Sequence, residues 1–303
     1  VHLQLSVSPS GRTLQYEAVD AVTAEWQALL REAKQALTEV AESPQAEAEW
    51  LLSEQLGIDR SQLRVMPRAP THAERQQFAR ALARRAAGEP FAYVAGTQPF
   101  RCLQLQVTPA VLIPRADTEL LVEWTLEILR GMAKPARVMD ACTGSGCVAL
   151  ALADEAPGHR YWASDCSAEA LAVAQGNAQR FKLDVQFVMA DALQWNVELP
   201  SFDVITANPP YIAADDPHLP ALRHEPKLAL VSGDDGLPLL RRLIAQAPEK
   251  LLPNGCLLLE HGYDQAPAVQ QLLKAAGFSQ VTTRHDLGGN PRVTAGYWAV
   301  SHD

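Results

Sequence analysis

The residues Asn208-Pro209-Pro210-Tyr211 are the part of this chain whose types and spacing most directly suggest chemistry. They follow Phe202-Asp203-Val204-Ile205-Thr206-Ala207, a short apolar, β-branched run that reads as a buried parallel strand. Two successive prolines cannot extend a ladder, and they remove two backbone donors. What remains is a stiff turn of acceptors: the Asn208 side-chain oxygen and free carbonyls, with the flat ring of Tyr211 beside them. A planar amino group, such as an amide NH2 or the exocyclic amine of a base, offers two N–H donors and a π-face, which such a turn matches. The same four residues also suit an ordinary proline-rich strand exit, so the elements around them must decide.

From Ala136 onward, strands and helices alternate, the pattern of a mainly parallel α/β sheet. A first strand ends at Asp140 and runs into Ala141-Cys142-Thr143-Gly144-Ser145-Gly146-Cys147, followed by a helix from Val148 to Ala153. The glycines permit a tight turn and let a ligand approach bare backbone at a helix N-terminus. The next strand, His159 to Ser164, delivers Asp165, an acid placed to accept both hydroxyls of a ribose. Gly144-x-Gly146-x-x-Ala149 formally fits a dinucleotide fingerprint as well. Asp140 favours S-adenosylmethionine instead: its carboxylate precedes the glycine turn, where that cofactor's ammonium would lie and a pyrophosphate would be repelled. A third strand, Val185 to Met189, ends near Asp191, which suits an adenine amino group or a helix cap. The fourth strand delivers Asn208, so cofactor and acceptor turn share the crevice at the strands' carboxyl ends. The loop from Ile212 to Gly236 is long, charged and proline-rich, of a kind that is usually functional or mobile. Beyond it come a helix (Leu237 to Ala247), a strand (Cys256 to Glu260), a helix (Pro267 to Ala276) and a closing hairpin of Phe278–Arg284 with Val293–Val300. His224 and His261 have no metal partners at ligand spacing and read as polar loop residues.

With 303 residues the chain favours two domains. A hydrophobic content of 48% with 20% charge marks a soluble globular chain. The net charge of −9 argues against a broad, sequence-independent grip on nucleic acid, although a local basic groove is compatible with it. The five cysteines form no CxxC pair, which points to reduced thiols in a cytoplasmic protein, with neither zinc nor disulfides. No apolar run reaches the roughly 18 residues of a membrane span, and the start lacks the pattern of a signal peptide. Residues 1–18 carry no clear period and read as a loose tail. A small helical domain is expected up to residue 88. Trp26, Leu29, Leu30, Ala33 and Leu37 lie on one helix face. Ser43-Pro44 opens a second helix that Gly57 ends, and the pairs Asp59/Gln62 and Thr71/Glu74 open two more. Arginines 60, 64, 68, 75, 80, 84 and 85 form either a solvated face or a partner surface. Residues 89–113 read as a linking hairpin of Phe91–Gly96 with Leu103–Val107, and 114–303 as the catalytic domain. Asp117 or Thr118 is a natural cap for the helix that begins at Glu119. Capping leaves Arg115 unexplained, which makes it a candidate for binding substrate.

Taken together, Gly88-Glu89-Pro90, Pro114-Arg115-Ala116-Asp117-Thr118-Glu119, Asp140 to Gly146, Asn208 to Tyr211, Glu225-Pro226 and Glu260-His261-Gly262 resemble the HemK-type protein-(glutamine-N5) methyltransferases. The resemblance runs from about Trp26 to Trp298 and is nearest to the bacterial enzymes that modify release factors. It implies a Rossmann-like, adenosylmethionine-dependent methyltransferase domain behind a helical domain that recognises substrate. It also implies that Cys142 to Gly146, Asp165, Ala192 and Asn208 line the cofactor, while Asn208, Pro209, Pro210 and Tyr211 hold a glutamine. The implied protein substrate is a class-I peptide chain release factor, through its Gly-Gly-Gln loop. Cys142 stands where family members often have glycine, and Ala192 where some place an aromatic ring over adenine. Arg223-His224-Glu225-Pro226 and the loop ending in Cys147 also resemble the sister enzymes that modify a ribosomal-protein glutamine.

Other readings stay open at this level. A base-amino methyltransferase would use the same acceptor turn for DNA or RNA, although 6% aromatic content and the acidic balance do not suggest a strand-binding surface. A nicotinamide oxidoreductase and a cofactor-sensing module without turnover are more distant alternatives.

Overall fold

The computed structural model describes residues 14–63 and 65–299, with side chains from residue 24. The chain divides into two compact units, Val1–Ala95 and Gly96–Asp303.

The first unit is helical: α1 (Leu14–Ala36), α2 (Pro44–Leu56), α3 (Arg60–Leu63), α4 (His72–Ala86) and the short α5 (Phe91–Ala95). Trp26, Ala33 and Leu37 of α1 are buried with Leu51 and Leu52 of α2 and Phe78 of α4. Pro44 sits in the first turn of α2, and Gly57 closes that helix in the left-handed region. Two expectations fail here. Residues 14–18 of the expected tail are helical, since no glycine or proline between Arg12 and Ser43 stops α1 from extending back; 1–13 lie outside the described residues. Residues 91–95 are helix rather than strand: Pro90 starts a turn whose carbonyl accepts from the Tyr93 and Val94 amides. Of the seven arginines, 60, 68, 75, 84 and 85 pair with glutamates of the same unit, which spends most of their positive field internally. Arg64 lies outside the described residues.

The second unit opens with the hairpin of β1 (Thr97–Phe100) and β2 (Leu103–Gln106), then α6 (Glu119–Arg130). There follow β3 (Arg137–Ala141), α7 (Cys147–Glu155), β4 (Arg160–Asp165), α8 (Ala168–Phe181), β5 (Val185–Met189) and β6 (Phe202–Ala207). The chain closes with α9 (Pro238–Gln246), β7 (Leu251–Glu260), α10 (Ala266–Ala275), β8 (Phe278–His285) and β9 (Pro291–Trp298). Seven strands form one sheet in the order β5-β4-β3-β6-β7-β9-β8. All neighbours run parallel except around β9, which is antiparallel to both β7 and β8. Strand order reverses between β3 and β6, the switch point at which such sheets open a crevice.

Apolar residues of β3, β6 and β7 alternate between the two faces. Val138, Val204 and Leu258 join the core under α6 and α7, and Met139, Ile205 and Leu257 the core under α9 and α10. His261 is not the polar loop residue expected. It is fully buried just past β7, where its two ring nitrogens meet the Gly262 carbonyl (2.8 Å) and the Thr294 hydroxyl of β9 (2.7 Å). Both polar atoms are satisfied, so burial is tolerated.

In α4 the Thr71/Glu74 capping box is complete, and Arg68 holds the Glu74 carboxylate. That guanidinium, then the Thr71 backbone amide, hold Glu74 down to about 2 from an ordinary 4.5. A lowered acid adds stability above its unfolded pKa and loses it as pH falls through the folded one. Glu74→Gln should therefore unfold at lower urea at pH 7, with the difference closing as pH falls from 4.5 toward 2.

Candidate active site

A cleft of about 520 Å³ opens in the second unit at the carboxyl ends of β3 to β6. That volume suits a small cofactor with room for a reacting group. Asp140, Cys142, Thr143, Gly144, Ser145, Asp165, Asp191, Ala192, Asn208, Pro210 and Arg115 all line it. Gly146, Pro209 and Tyr211 are not among the residues that line it.

Asp140 is brought there by register: it pairs with Thr206 across β3 and β6, and the Thr206 hydroxyl donates to its Oδ1 at 2.9 Å. The Thr143 hydroxyl donates to Oδ2 at 2.6 Å. Burial outweighs these bonds and pushes the carboxyl up to about 7. A buried acid so poised gains most from a cation placed beside it. Gly144 turns at φ +55°, and a side chain there would project into open space, leaving its backbone bare to the cleft. Asp165 accepts from the Gly144 amide (Oδ2, 2.9 Å) and the Ser167 amide (Oδ1, 2.9 Å), so it shapes the loop as well as facing the cleft. Cys142 and Ala192 both adopt left-handed backbone, φ +57°. For Cys142 this is the physical reason a glycine would be at ease at the same position. Burial also holds the Cys142 thiol well up and takes Cys147 to about 12, so neither is poised as a nucleophile. Asp191 is exposed and pairs through Oδ2 with Arg242 at 2.7 Å.

The acceptor turn is held from behind. Asn208 Nδ2 donates to the Thr118 hydroxyl at 3.0 Å, which leaves Oδ1 without a hydrogen-bond donor among the described residues. Thr118 makes no cap for α6, contrary to its expected role: its backbone is already helical and its hydroxyl is committed to Asn208. The Tyr211 carbonyl accepts from Gln265 Nε2 (2.9 Å), its hydroxyl lies 3.5 Å from Glu260 Oε1, and its ring leans on the apolar core. Arg115 is tied to the buried Glu225, whose other oxygen accepts from the Ile113 amide at 3.1 Å. Glu225 thereby pins the long loop to the segment carrying Arg115.

Sequence reasoning missed Asn177. Fully buried on α8, it bonds both backbone groups of Gln106 (2.7 and 3.0 Å) and the Ser145 carbonyl (3.0 Å), tying the hairpin to the glycine loop. A lone asparagine within an amphipathic helix gave no signal of this. Among the described residues no cluster of ligating side chains could hold a metal ion, and no helix is long and apolar enough to cross a membrane.

Comparison with known proteins then decides the family. Residues 28–96 match the model of the PrmC N-terminal domain, and residues 138–232 that of a methyltransferase domain. A release factor glutamine methyltransferase of Pseudomonas aeruginosa is 47% identical over 86% of this chain and 96% of its own length. One from Bordetella pertussis is 45% identical over 84% and 95%. The chain belongs to the release factor glutamine methyltransferase family. A methyltransferase of known structure from Pyrococcus furiosus, 16% identical, shares the fold with a TM-score of 0.50 over 74% of this chain and 99% of its own.

Membership in the glutamine methyltransferase family removes the oxidoreductase reading of the glycine loop and gives Asp140 its context. An acid whose pKa is raised by folding destabilises the protein as pH climbs from its unfolded value toward the folded one. Ligand-free protein should therefore lose stability between pH 3.8 and about 7 through this group. Asp140→Asn should resist urea better than the parent at pH 8, with the gap closing by pH 4; a gap independent of pH would deny Asp140 its buried charge.

Proposed function

We propose that this chain transfers a methyl group from S-adenosylmethionine to the side-chain amide nitrogen (N5) of a glutamine in the Gly-Gly-Gln loop of class-I peptide chain release factors. The observation that carries the reading is the Asn208 amide, anchored through its nitrogen with its oxygen left without a donor among the described residues, beside the acid-lined glycine loop. The residues present fit the cofactor. Asp140 offers a buried carboxylate to an ammonium, Asp165 keeps lone pairs for a ribose diol, and Gly144 leaves bare backbone between them. Asp191 keeps Oδ1 for the adenine amine beside the backbone of Ala192. The bound cofactor supplies an electrophilic methyl on a sulfonium.

An amide nitrogen is a poor nucleophile, because its lone pair is delocalised into the carbonyl. Asn208 Oδ1 and a carbonyl of Pro209 or Pro210 accept its two N–H bonds, fix it in place, and stabilise positive charge as it develops there. Tyr211 backs the turn, so its carbonyls hold one direction. The proton leaves to water, with no covalent enzyme intermediate. Two residues without side chains before the glutamine let the amide reach a recessed turn. The helical unit takes the body of the release factor, so binding far from the amide is used to orient it. Such a substrate places the activity in the cytoplasm.

Methyl transfer from labelled adenosylmethionine to purified release factor, ribosomal protein and duplex DNA, side by side, tests the substrate. Label should appear on the release factor glutamine; label chiefly on the ribosomal protein would favour the sister enzymes, and label chiefly on DNA would end the protein reading. Asn208→Ala should lower turnover on the order of 10²–10³-fold, as when one preorganised transition-state hydrogen bond is lost. Asp165→Ala should weaken cofactor binding by roughly 2–3 kcal/mol, as for hydrogen bonds to charged groups. Calorimetry showing unchanged affinity would remove Asp165 from the site.

A further inference from the structure

Asn208 can serve as an acceptor only if its amide stands the right way round, and the oxygen and nitrogen of an asparagine are nearly the same size. Something behind the turn must choose between them. Leu259 of β7 pairs with Ala207 of β6, so Glu260, the last residue of β7, and Asn208, the first residue after β6, are brought side by side. Glu260 is 1% exposed, and its Oε2 has no hydrogen-bond partner among the described residues. Thr118, equally buried, accepts from Asn208 Nδ2 while its hydroxyl stabilises the Glu260 carboxylate.

We propose that Glu260 and Thr118 are positioning residues that set the polarity of the Asn208 amide, and so decide whether the cleft meets an acceptor or a donor. The inference rests on the methyl-transfer reading above. A hydroxyl has one proton. A carboxylate cannot donate, so beside it Thr118 directs that proton to Glu260 and can offer Asn208 only a lone pair. Asn208 must then present Nδ2 to Thr118 and Oδ1 to the cleft. A neutral acid, or a glutamine, can donate to Thr118 instead. The threonine proton then favours Asn208 Oδ1, the amide turns over, and its NH2 opposes the NH2 of the incoming glutamine.

Burial pushes Glu260 up to about 7, against the Thr118 hydroxyl, Arg292 and the Tyr211 hydroxyl, which favour the ion; Asp117 adds to the rise. Cys147, on α7, is kept a neutral thiol by burial and then by Asp140, with the Glu260 charge a smaller contributor. Arg292 is itself shared with Asp117 and Asp286 at 3.3 Å, so it does not neutralise Glu260 alone. The competent orientation is therefore populated as pH rises through neutrality.

The test is kcat and KM of the full-length enzyme from pH 6 to 8.5, at saturating adenosylmethionine with intact release factor. For the parent, kcat should rise about tenfold per pH unit below neutrality and level off above it. Glu260→Gln should lower kcat about 10- to 100-fold, by analogy with a misoriented catalytic dipole, and abolish the rising limb while cofactor affinity and KM stay near parental. Thr118→Val should act likewise and Thr118→Ser should restore most turnover. Parental kcat in Glu260→Gln, a lowered kcat that keeps the limb, or no difference between the serine and valine variants would overturn the proposal. A second readout needs no substrate: the Asn208 side-chain NH2 resonance should titrate near neutrality in the parent and stay flat in Glu260→Gln. A flat resonance in the parent overturns the relay. Absence of methyl transfer by the parent overturns the assigned reaction, and a titrating Asn208 would still support the relay.

Discussion

The site depends on the register of three parallel strands that finish at nearly the same level. Asp140 of β3 faces Thr206 of β6, and Ala207 of β6 faces Leu259 of β7. Each strand is buried on both faces, so a slip by one residue would exchange the two cores and is resisted by the packing of both. Asp140 in the last two residues of β3, Asn208 directly after β6 and Glu260 at the end of β7 are thereby delivered to neighbouring positions without any loop having to place them. Loops add contacts to this edge: Gly144 bares backbone, and Glu225 pins the long loop beside Arg115.

The same edge concentrates an electrostatic cost. Asp140 and Glu260 are both buried acids raised to about 7 chiefly by loss of water. A fold selected for stability alone would not keep two such groups within one sheet edge. Asp140 gains from a cation that binding would bring, and Glu260 gains from the Thr118 hydroxyl, Arg292 and the Tyr211 hydroxyl. In this account the stability forgone in the ligand-free protein is recovered as preorganised polarity when the site is filled.

Much of this edge was legible in the sequence, because strand periods and turn chemistry are local. The four strands from Val138 to Ala207, the glycine loop and the Pro-Pro turn could each be read from a short window. What escaped depends on contacts between distant segments. Thr118 looked like a helix cap because Asp117-Thr118-Glu119 has the local form of one, yet its hydroxyl is claimed by Asn208. His261 looked like a loop residue because nothing near it in sequence shows that Thr294 waits across the sheet. Phe91 to Ala95 looked like a strand because five apolar residues have no decisive period; Pro90 and the buried Tyr93 and Val94 make them a helical turn.

The central claim is that the carboxyl edge of β6 presents an acceptor turn to a substrate amide. A crystal structure of the protein with adenosylhomocysteine and an intact release factor tests it most directly. The account predicts the glutamine nitrogen within hydrogen-bond reach of Asn208 Oδ1 and of a Pro209 or Pro210 carbonyl, with Asn208 Nδ2 still on Thr118. A glutamine amide directed away from Asn208, or meeting its NH2 rather than its oxygen, would contradict it.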